Sequence, residues 1–400
     1  MPVERWSKRP LGELLTLEYG AGLPQALRTG EGYPVYGSNG LVGRHSEYLV
    51  EGPGIVVGRK GTVGAVVWSD EPFWPIDTTY YVQPKGDTDP RWVYWCLSSL
   101  PLSRLDSSTG VPGLNRHDAY ALEVLVPTAP QQRRIAEILD AADEAIRQAE
   151  RLIAKQRAVK AGLLHDLLTR GLDEHGHLRD PQAHPEQFKD SLVGRIPEDW
   201  VVHEVEQVVS EIVDFRGKTP RKLGMKWGGD IPALSANNVE MGKINLEKET
   251  YYGSEPLYQK WMNQGDVRKG DIIMTMEAPL GNVAQIPDDR KYILSQRVVL
   301  LRTQEQMMDD NFLKYQMMST FFQRQLRINS TGTTAAGIQQ AKLRHLKLVV
   351  PLIGEQRHIA AVLDAHDARI RAEEAMLAKL RQVKRGLMHD LLTGKVGVKV

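Results

Sequence analysis

A doubled α+β fold is what this sequence predicts. Two mixed α/β globular domains should each be followed by a long helix. The two helices should pair antiparallel as a coiled coil, about a pseudo-twofold axis. Three observations predict this. A helical segment occurs twice, fragments of the globular part recur in the same order, and 400 residues are enough for two such cycles.

The helical segment is the strongest element. Residues 127–169 and 351–393 align without a gap at an offset of 224, with 24 identities in 43 positions. Both copies are rich in Ala, Leu, Gln, Glu, Arg and Lys, which are strong helix formers. Apolar residues recur at heptad spacing. Leu139, Ile146, Ile153 and Leu167 form one seam, with Ile135, Ala142, Ala149 and Leu163 beside it. Leu363, Ile370, Leu377 and Leu391 repeat that seam, with Ile359, Leu380 and Leu387 beside it. Lys160 and Lys384 interrupt the two seams at the same position. A stripe of this kind buries nothing alone and needs a partner helix. The other copy in the same chain can supply it, with a homodimeric coiled coil as the competing solution. About 39 residues at ~1.5 Å each make a rod of roughly 58 Å.

The globular parts echo each other less closely. IPALSANN (231–238) echoes YPVYGSNG (33–40), and KGDIIMTMEAPLGNVAQI (269–286) echoes EGPGIVVGRKGTVGAVVW (51–68). GIQQAKLRHLKLVVP (337–351) echoes GLNRHDAYALEVLVP (113–127). The offset grows from 198 to 224, so the second copy carries insertions. β-Branched runs at 55–57, 65–68, 272–274 and 298–301 predict strands. Residues 92–100 and 312–326 predict short helices. Residues 171–197, with three histidines and three prolines, predict a polar linker. The expected division is a first globular domain at 1–126, a central helical repeat at 127–172, a linker and second globular domain at 173–350, and a C-terminal helical repeat at 351–400.

Composition narrows the function classes. Lys plus Arg number 51 against 50 acids, so the molecule is not a general polycation and any nucleic-acid contact must be local. The single Cys96 allows neither an internal disulfide nor a multi-thiolate zinc site, and predicts a buried, inert thiol. No apolar signal core and no ~18-residue apolar run occur, so no membrane attachment and a cytoplasmic location are expected.

Catalytic motifs are missing. Gly217-Lys218-Thr219 resembles the end of a phosphate-binding loop, but Ile212 stands where its first glycine should be, and Pro220 follows directly. Gly58, Gly61 and Gly64 lie between two strands rather than leading into a helix. There is no HExxH, no GxSxG and no Asn/Asp-Pro-Pro-aromatic segment. His175, His177 and His184 lack metal-ligand spacing. His165-Asp166 and His389-Asp390, at equivalent helix ends, predict structural or docking elements. No catalytic, cofactor-binding or metal-ligating residue is assigned.

Local patches predict DNA contact instead. DFRGKTPRKLGMKW (214–227) carries five cations against one acid on a Gly/Pro-marked loop. Arg216, Lys218, Thr219, Arg221 and Lys222 are its candidates. Ser235, Asn237 and Asn238, with Ser38 and Asn39 as their echoes, offer short polar side chains in loops. Arg44 and the glycine-framed Arg59-Lys60 complete the set. Arg pairs with guanine and Asn with adenine at major-groove edges, whereas Lys and Ser more often hold phosphates.

With these elements in place the chain resembles the specificity subunits of type I restriction–modification systems. The resemblance rests on the two PxxxQxR-I-A-xx-L-D segments ending in HDLLT, on the glycine-bounded strands, and on GLDEHGHLRD…FKDSLVGRIPEDW (171–200). It implies a non-catalytic reader of double-stranded DNA. Two target recognition domains would each contact half of a split, asymmetric target, held at a fixed distance by the helices. The helical repeats would dock two methyltransferase subunits, and a restriction/translocase subunit would join through them. S-adenosylmethionine, ATP and Mg would then belong to those partners. The alternative within the same class is the specificity subunit of a related fused methyltransferase–nuclease system, type IIB/IIG-like. A stand-alone nuclease or methyltransferase would need a catalytic cluster that is missing. A coiled-coil scaffold would not bind DNA by sequence.

Overall fold

The computed structural model describes residues 6–105, 113–332 and 336–399. It divides into two compact units, Met1–Leu152 with Glu373–Val400, and Ile153–Ala372.

The first unit opens with β1 (Ser7–Pro10), α1 (Leu11–Leu14) and β2 (Leu15–Tyr19). Next come β3 (Tyr33–Gly37), β4 (Gly40–His45), β5 (Gly54–Gly58), β6 (Val66–Ser69), β7 (Trp74–Pro75) and β8 (Thr79–Pro84). These strands make a four-stranded antiparallel sheet ordered β2-β8-β5-β6 and a three-stranded sheet ordered β4-β3-β7, in which β3 and β7 run parallel. Asp89 caps α2 (Pro90–Ser99) by accepting the Trp92 amide, and Pro90 takes the first helical position. The helix buries Trp92, Val93, Trp95 and Cys96 against Leu15, Leu17, Ile55 and Val57. Burial pushes the Cys96 thiol pKa up, so the thiol stays protonated. After α3 (Arg116–Tyr120), β9 (Glu123–Val126) pairs with β1 and leads into α4 (Ala129–Thr169), whose residues up to Leu152 belong to this unit.

The second unit repeats the plan with additions. A hairpin, β10 (Phe188–Ser191) and β11 (Gly194–Pro197), stands where a plain linker was expected. Before it Arg179 binds Glu355 across 2.7 Å, and after it Trp200 Nε1 donates to the same carboxylate at 3.0 Å. The segment from 171 to 200 is thus fastened by polar contacts at Arg179 and Trp200, while His175, His177 and His184 between its ends stay exposed. β12 (Val201–Glu204), α5 (Val205–Val208) and β13 (Val209–Val213) correspond to β1, α1 and β2. β14 (Ile231–Leu234), β15 (Val239–Glu240), β16 (Lys243–Ile244), β17 (Tyr251–Gly253) and α6 (Glu255–Trp261) follow. β18 (Ile272–Thr275), β19 (Val283–Gln285), β20 (Ile293–Leu294) and β21 (Val298–Thr303) complete the sheets. The orders β13-β21-β18-β19 and β17-β14-β20 match those of the first unit, again with one parallel pair, β14 and β20.

The helix expected over 312–326 is two helices. α7 (Asp310–Met318) stops at Ser319, whose hydroxyl caps α8 (Thr320–Asn329) by accepting the Phe322 amide. A serine that can cap locally competes with continuation of the helix. α9 (Gln340–Arg344) and β22 (Lys347–Val350) then lead into α10 (Ile353–Leu392), whose residues from Glu373 onward belong to the first unit.

Each unit contains its own antiparallel helix contact. In the first, Ile135, Leu139 and Leu391 join the core, Glu150 pairs with Arg381, and Lys384 pairs with Asp143. In the second, Leu167, Ile359 and Leu363 join the core, and Lys160 pairs with Asp367. Asp143 and Asp367 are equivalent positions of the repeat, as are Lys160 and Lys384. The two seam interruptions are therefore one reciprocal ion pair, made twice.

The repeat also fastens helix to domain. Gln132 accepts the Asp89 amide at 2.8 Å and donates to the Pro127 carbonyl. Gln356 accepts the Asp309 amide at 2.9 Å and donates to the carbonyls of Met307 and Pro351. Asp140 takes Arg91 and the Trp95 indole, while Asp364 takes Lys314 and the Tyr315 hydroxyl.

Candidate nucleic-acid interface

In each unit most of the candidate residues lie in loops that follow strands, while Arg44 lies within β4. The loop after β14 is the best defined. Asn238 is fully buried, and its Oδ1 accepts both the amide and the hydroxyl of Ser235. Its Nδ2 donates to Thr250 Oγ1 at 2.7 Å and, at longer range, to the carbonyls of Asn245 and Glu249. Asn238 and Ser235 therefore staple the loop, and no atom of Asn238 is left for a ligand. Asn237 is pushed outward by that staple. It is exposed, and its side chain has no hydrogen-bond partner among the described residues.

The echo in the first unit keeps only the outer residue. Asn39, equivalent to Asn237, sits between β3 and β4, exposed and likewise unpaired among the described residues. Gly40, with φ +100°, replaces the buried Asn238, so a tight turn does what the staple does in the second unit. Ser38 Oγ lies 3.5 Å from the Thr62 amide.

The basic loop after β13 is more occupied than its sequence suggests. Arg216 grips Asp214, which raises the guanidinium pKa. Lys218 Nζ donates to the Trp261 carbonyl and Asn263 Oδ1, each at 2.6 Å, and lies 4.5 Å from the Phe215 ring centroid. Burial lowers its pKa. Thr219 Oγ1 accepts the Lys222 amide, and Lys222 Nζ donates to the Gly217 carbonyl. Arg221 is exposed on a single 3-10 turn, with no side-chain partner among the described residues. Pro220, in helical backbone geometry, starts that turn and not a long helix, which agrees with setting aside a phosphate-binding loop.

In the first unit Arg59 donates to the Asp77 carbonyl and lies 5.3 Å from the Tyr19 ring, with Arg116 5.2 Å from the same ring. Burial, with the Tyr19 hydroxyl beside it, pushes the Tyr80 hydroxyl up to about 12. Lys60 is exposed, its backbone bridged to Gly113. Arg44 is spent on the Gly32 carbonyl and Glu71.

Sequence reasoning missed part of the second unit's surface. A cavity of about 370 Å³ is lined by Lys218, Trp227, Asn237, Tyr251, Gln296 and Arg297. Trp227 stacks on Tyr251 at 5.5 Å with 21° between planes and packs on Trp261 from 5.5 Å. Gln296 and Arg297 form the turn between β20 and β21. Their only sequence signal was a polar Ser-Gln-Arg interruption between two apolar runs, whose counterpart by strand register in the first unit is Ile76-Asp77-Thr78.

Two further grooves occupy equivalent places beside the HDLLT helix ends. One, of about 540 Å³, is lined by Leu100, Met388, His389 and Leu392. The other, of about 660 Å³, is lined by Leu164, His165, Leu168 and Phe321. Among the described residues the His/carboxylate group within metal-binding reach is Glu204, Glu206 and His345. His345 and Lys347 already hold the Glu204 carboxylate, which neutralises the charge a cation would need.

Comparison with known proteins matches this architecture. The family model for the type I restriction modification DNA specificity domain matches residues 3–155 and again 197–382. The MjaVIII specificity subunit of a type I restriction enzyme from Methanocaldococcus jannaschii is 28% identical over 296 residues, covering 73% of this chain and 66% of that protein. The chain thus matches slightly less than two thirds of that relative's length, and 62% of the second, the MjaX specificity subunit from the same archaeon. A type I specificity subunit from Haemophilus influenzae is 20% identical, over 89% of this chain and 86% of that one. The crystal structure of the type I restriction-modification S subunit from M. genitalium superposes with a TM-score of 0.64 at 18% identity, covering 97% of this chain and 96% of that one.

Proposed function

The chain belongs to the type I restriction modification DNA specificity family, and from that premise we propose that it is the DNA-reading, non-catalytic specificity subunit of a type I restriction–modification complex. The observation that carries the reading is the equivalent pair Asn39 and Asn237. Each is exposed, unpaired among the described residues, and set at the same loop of a duplicated unit. An asparagine amide can bond adenine N6 and N7 together. Each unit then reads one half of a bipartite, asymmetric double-stranded target. Arg221, next in sequence to the cavity-lining Pro220, and Lys60, on the loop whose Thr62 amide faces Ser38, supply cations for phosphates, and Lys222 adds charge.

The two grooves at the helix ends support docking of two methyltransferase subunits, with restriction/translocase subunits joining through them. S-adenosylmethionine, ATP and Mg belong to those partners, and the complex works in the cytoplasm. No helix among the described residues is long and apolar enough to cross a membrane.

The test is methylome sequencing of cells that express the chain with its methyltransferase partner, together with native mass spectrometry of the complex. A bipartite methylated-adenine motif and two methyltransferase chains per copy are expected. Met388→Glu or Phe321→Glu should each remove one methyltransferase. A stable one-to-one complex under excess partner, or methylation with no sequence motif, overturns the reading.

A further inference from the structure

We propose that Arg297 reads a guanine in the half-site of the second unit, and that Glu277 is the positioning residue that aims it. This rests on the DNA-reading function above and adds a base identity to it.

Arg297 lines the same cavity as Asn237, and Glu277 pairs with it. Arg297 Nε pairs with Glu277 Oε1 at 3.4 Å, and both side chains are about half exposed, at 49% and 47%. The pairing uses the Nε edge of the guanidinium. The two terminal nitrogens remain as an open fork, the part that bonds guanine O6 and N7 together. A carboxylate holding the other edge removes rotamer freedom before DNA arrives, so less is lost on binding.

The backbone holds the turn as firmly. Arg297 has φ +68°, a conformation that costs a non-glycine residue free energy. Its carbonyl accepts the Met276 amide at 2.7 Å, which ties the turn to the loop carrying Glu277. Glu277 is itself bridged to Gly337. The same framework exists in the first unit with different chemistry. There the Thr78 carbonyl accepts the amides of Arg59 and Lys60, and Lys60 is the residue bridged to Gly113. Thr78 thus replaces Arg297, and Lys60 replaces Glu277. One scaffold carries a carboxylate-aimed arginine in one copy and, in the other, a lysine whose side chain has no partner among the described residues. Two readers of different half-sites need such a difference.

The acid has a second consequence. Glu277 repels phosphate, so it disfavours any docking in which Arg297 would bind the backbone of an arbitrary sequence.

Binding selections on DNA randomised in both half-sites test this, with the full chain assembled with its methyltransferase. Arg297→Gly removes the side chain and suits the positive φ, so the fold is kept. It should erase the preference for one guanine, by about 10- to 100-fold, and leave the other half-site unchanged. Arg297→Lys keeps the charge and loses the fork, so it should lose the same preference while overall affinity stays close to the original. Glu277→Gln should blunt the guanine preference and raise affinity for unrelated sequences. If Arg297→Gly weakens all sequences alike and Arg297→Lys restores them, the residue holds phosphate and the inference is wrong. If the unaltered protein selects a bipartite motif and Arg297→Gly changes none of it, the inference alone fails. If the unaltered protein selects no motif, the DNA-reading function fails with it.

Discussion

Adjacent asparagines in the loop after β14 should respond to the same substitution in opposite ways. Asn238→Ala removes a fully buried amide that bonds Ser235 through its amide at 3.0 Å and its hydroxyl at 2.9 Å, and Thr250 Oγ1 at 2.7 Å. At about 1–3 kcal/mol for each buried group left without a partner, and discounting the long bonds to Asn245 and Glu249, the loss is about 2–4 kcal/mol. For a unit of this size that lowers Tm by about 5–15 °C. Asn237→Ala removes an exposed amide with no partner among the described residues, so its effect on stability should stay within about 0.5 kcal/mol. Its cost should fall on binding, at about 5- to 150-fold against the cognate base and in one half-site only. Thermal unfolding and binding selection on both variants check the two effects. An unchanged Tm for Asn238→Ala would show that the staple bears no strain of folding. Full specificity in Asn237→Ala would mean that this loop is not a reader, and blurring of both half-sites would refute the two-reader scheme.

Asp367→Ala should cost about 3 kcal/mol, because it leaves the largely buried Lys160 without its carboxylate while the Tyr315 hydroxyl keeps Asp364, and Lys160→Met in the same chain should recover part of the loss in a denaturation double-mutant cycle. Gln356→Ala should destabilise more than Gln132→Ala in chemical denaturation, since Gln356 holds three backbone groups and Gln132 two. The Glu204 carboxylate raises the pKa of His345, so protonated His345 stabilises the folded state. That contribution is complete below about pH 6.5 and is lost as pH rises through the raised value. Histidine titration by NMR should show the raised value fall in Glu204→Gln; an unaltered titration would remove Glu204 as its cause.

The doubled unit, the long helices and the strands β5, β6, β18 and β21 were legible because they rest on local patterning, which the sequence carries directly. Heptad stripes and β-branched runs report which faces must be buried, and a gapless repeat with 24 identities in 43 positions reports that the solution is used twice. Even the polar seam positions Lys160 and Lys384 were visible, although their aspartate partners were not. Which polar side chains remain available to a ligand is a different kind of fact. The 214–227 loop is rich in cations, yet Arg216, Lys218 and Lys222 bond within the second unit, and Asn238 is buried while its neighbour Asn237 faces out. Gln296 and Arg297 reach Asn237 because β20 runs parallel to β14, and Arg297 reaches Glu277 because β18 and β21 pair antiparallel and the Arg297 carbonyl ties their two loops. Asp214 lies two residues from Arg216 and Gly217 five from Lys222, yet only the folded path of the loop turns them toward each other, while Lys218 bonds Asn263 across a separation of 45 residues that leaves no pattern in composition or spacing.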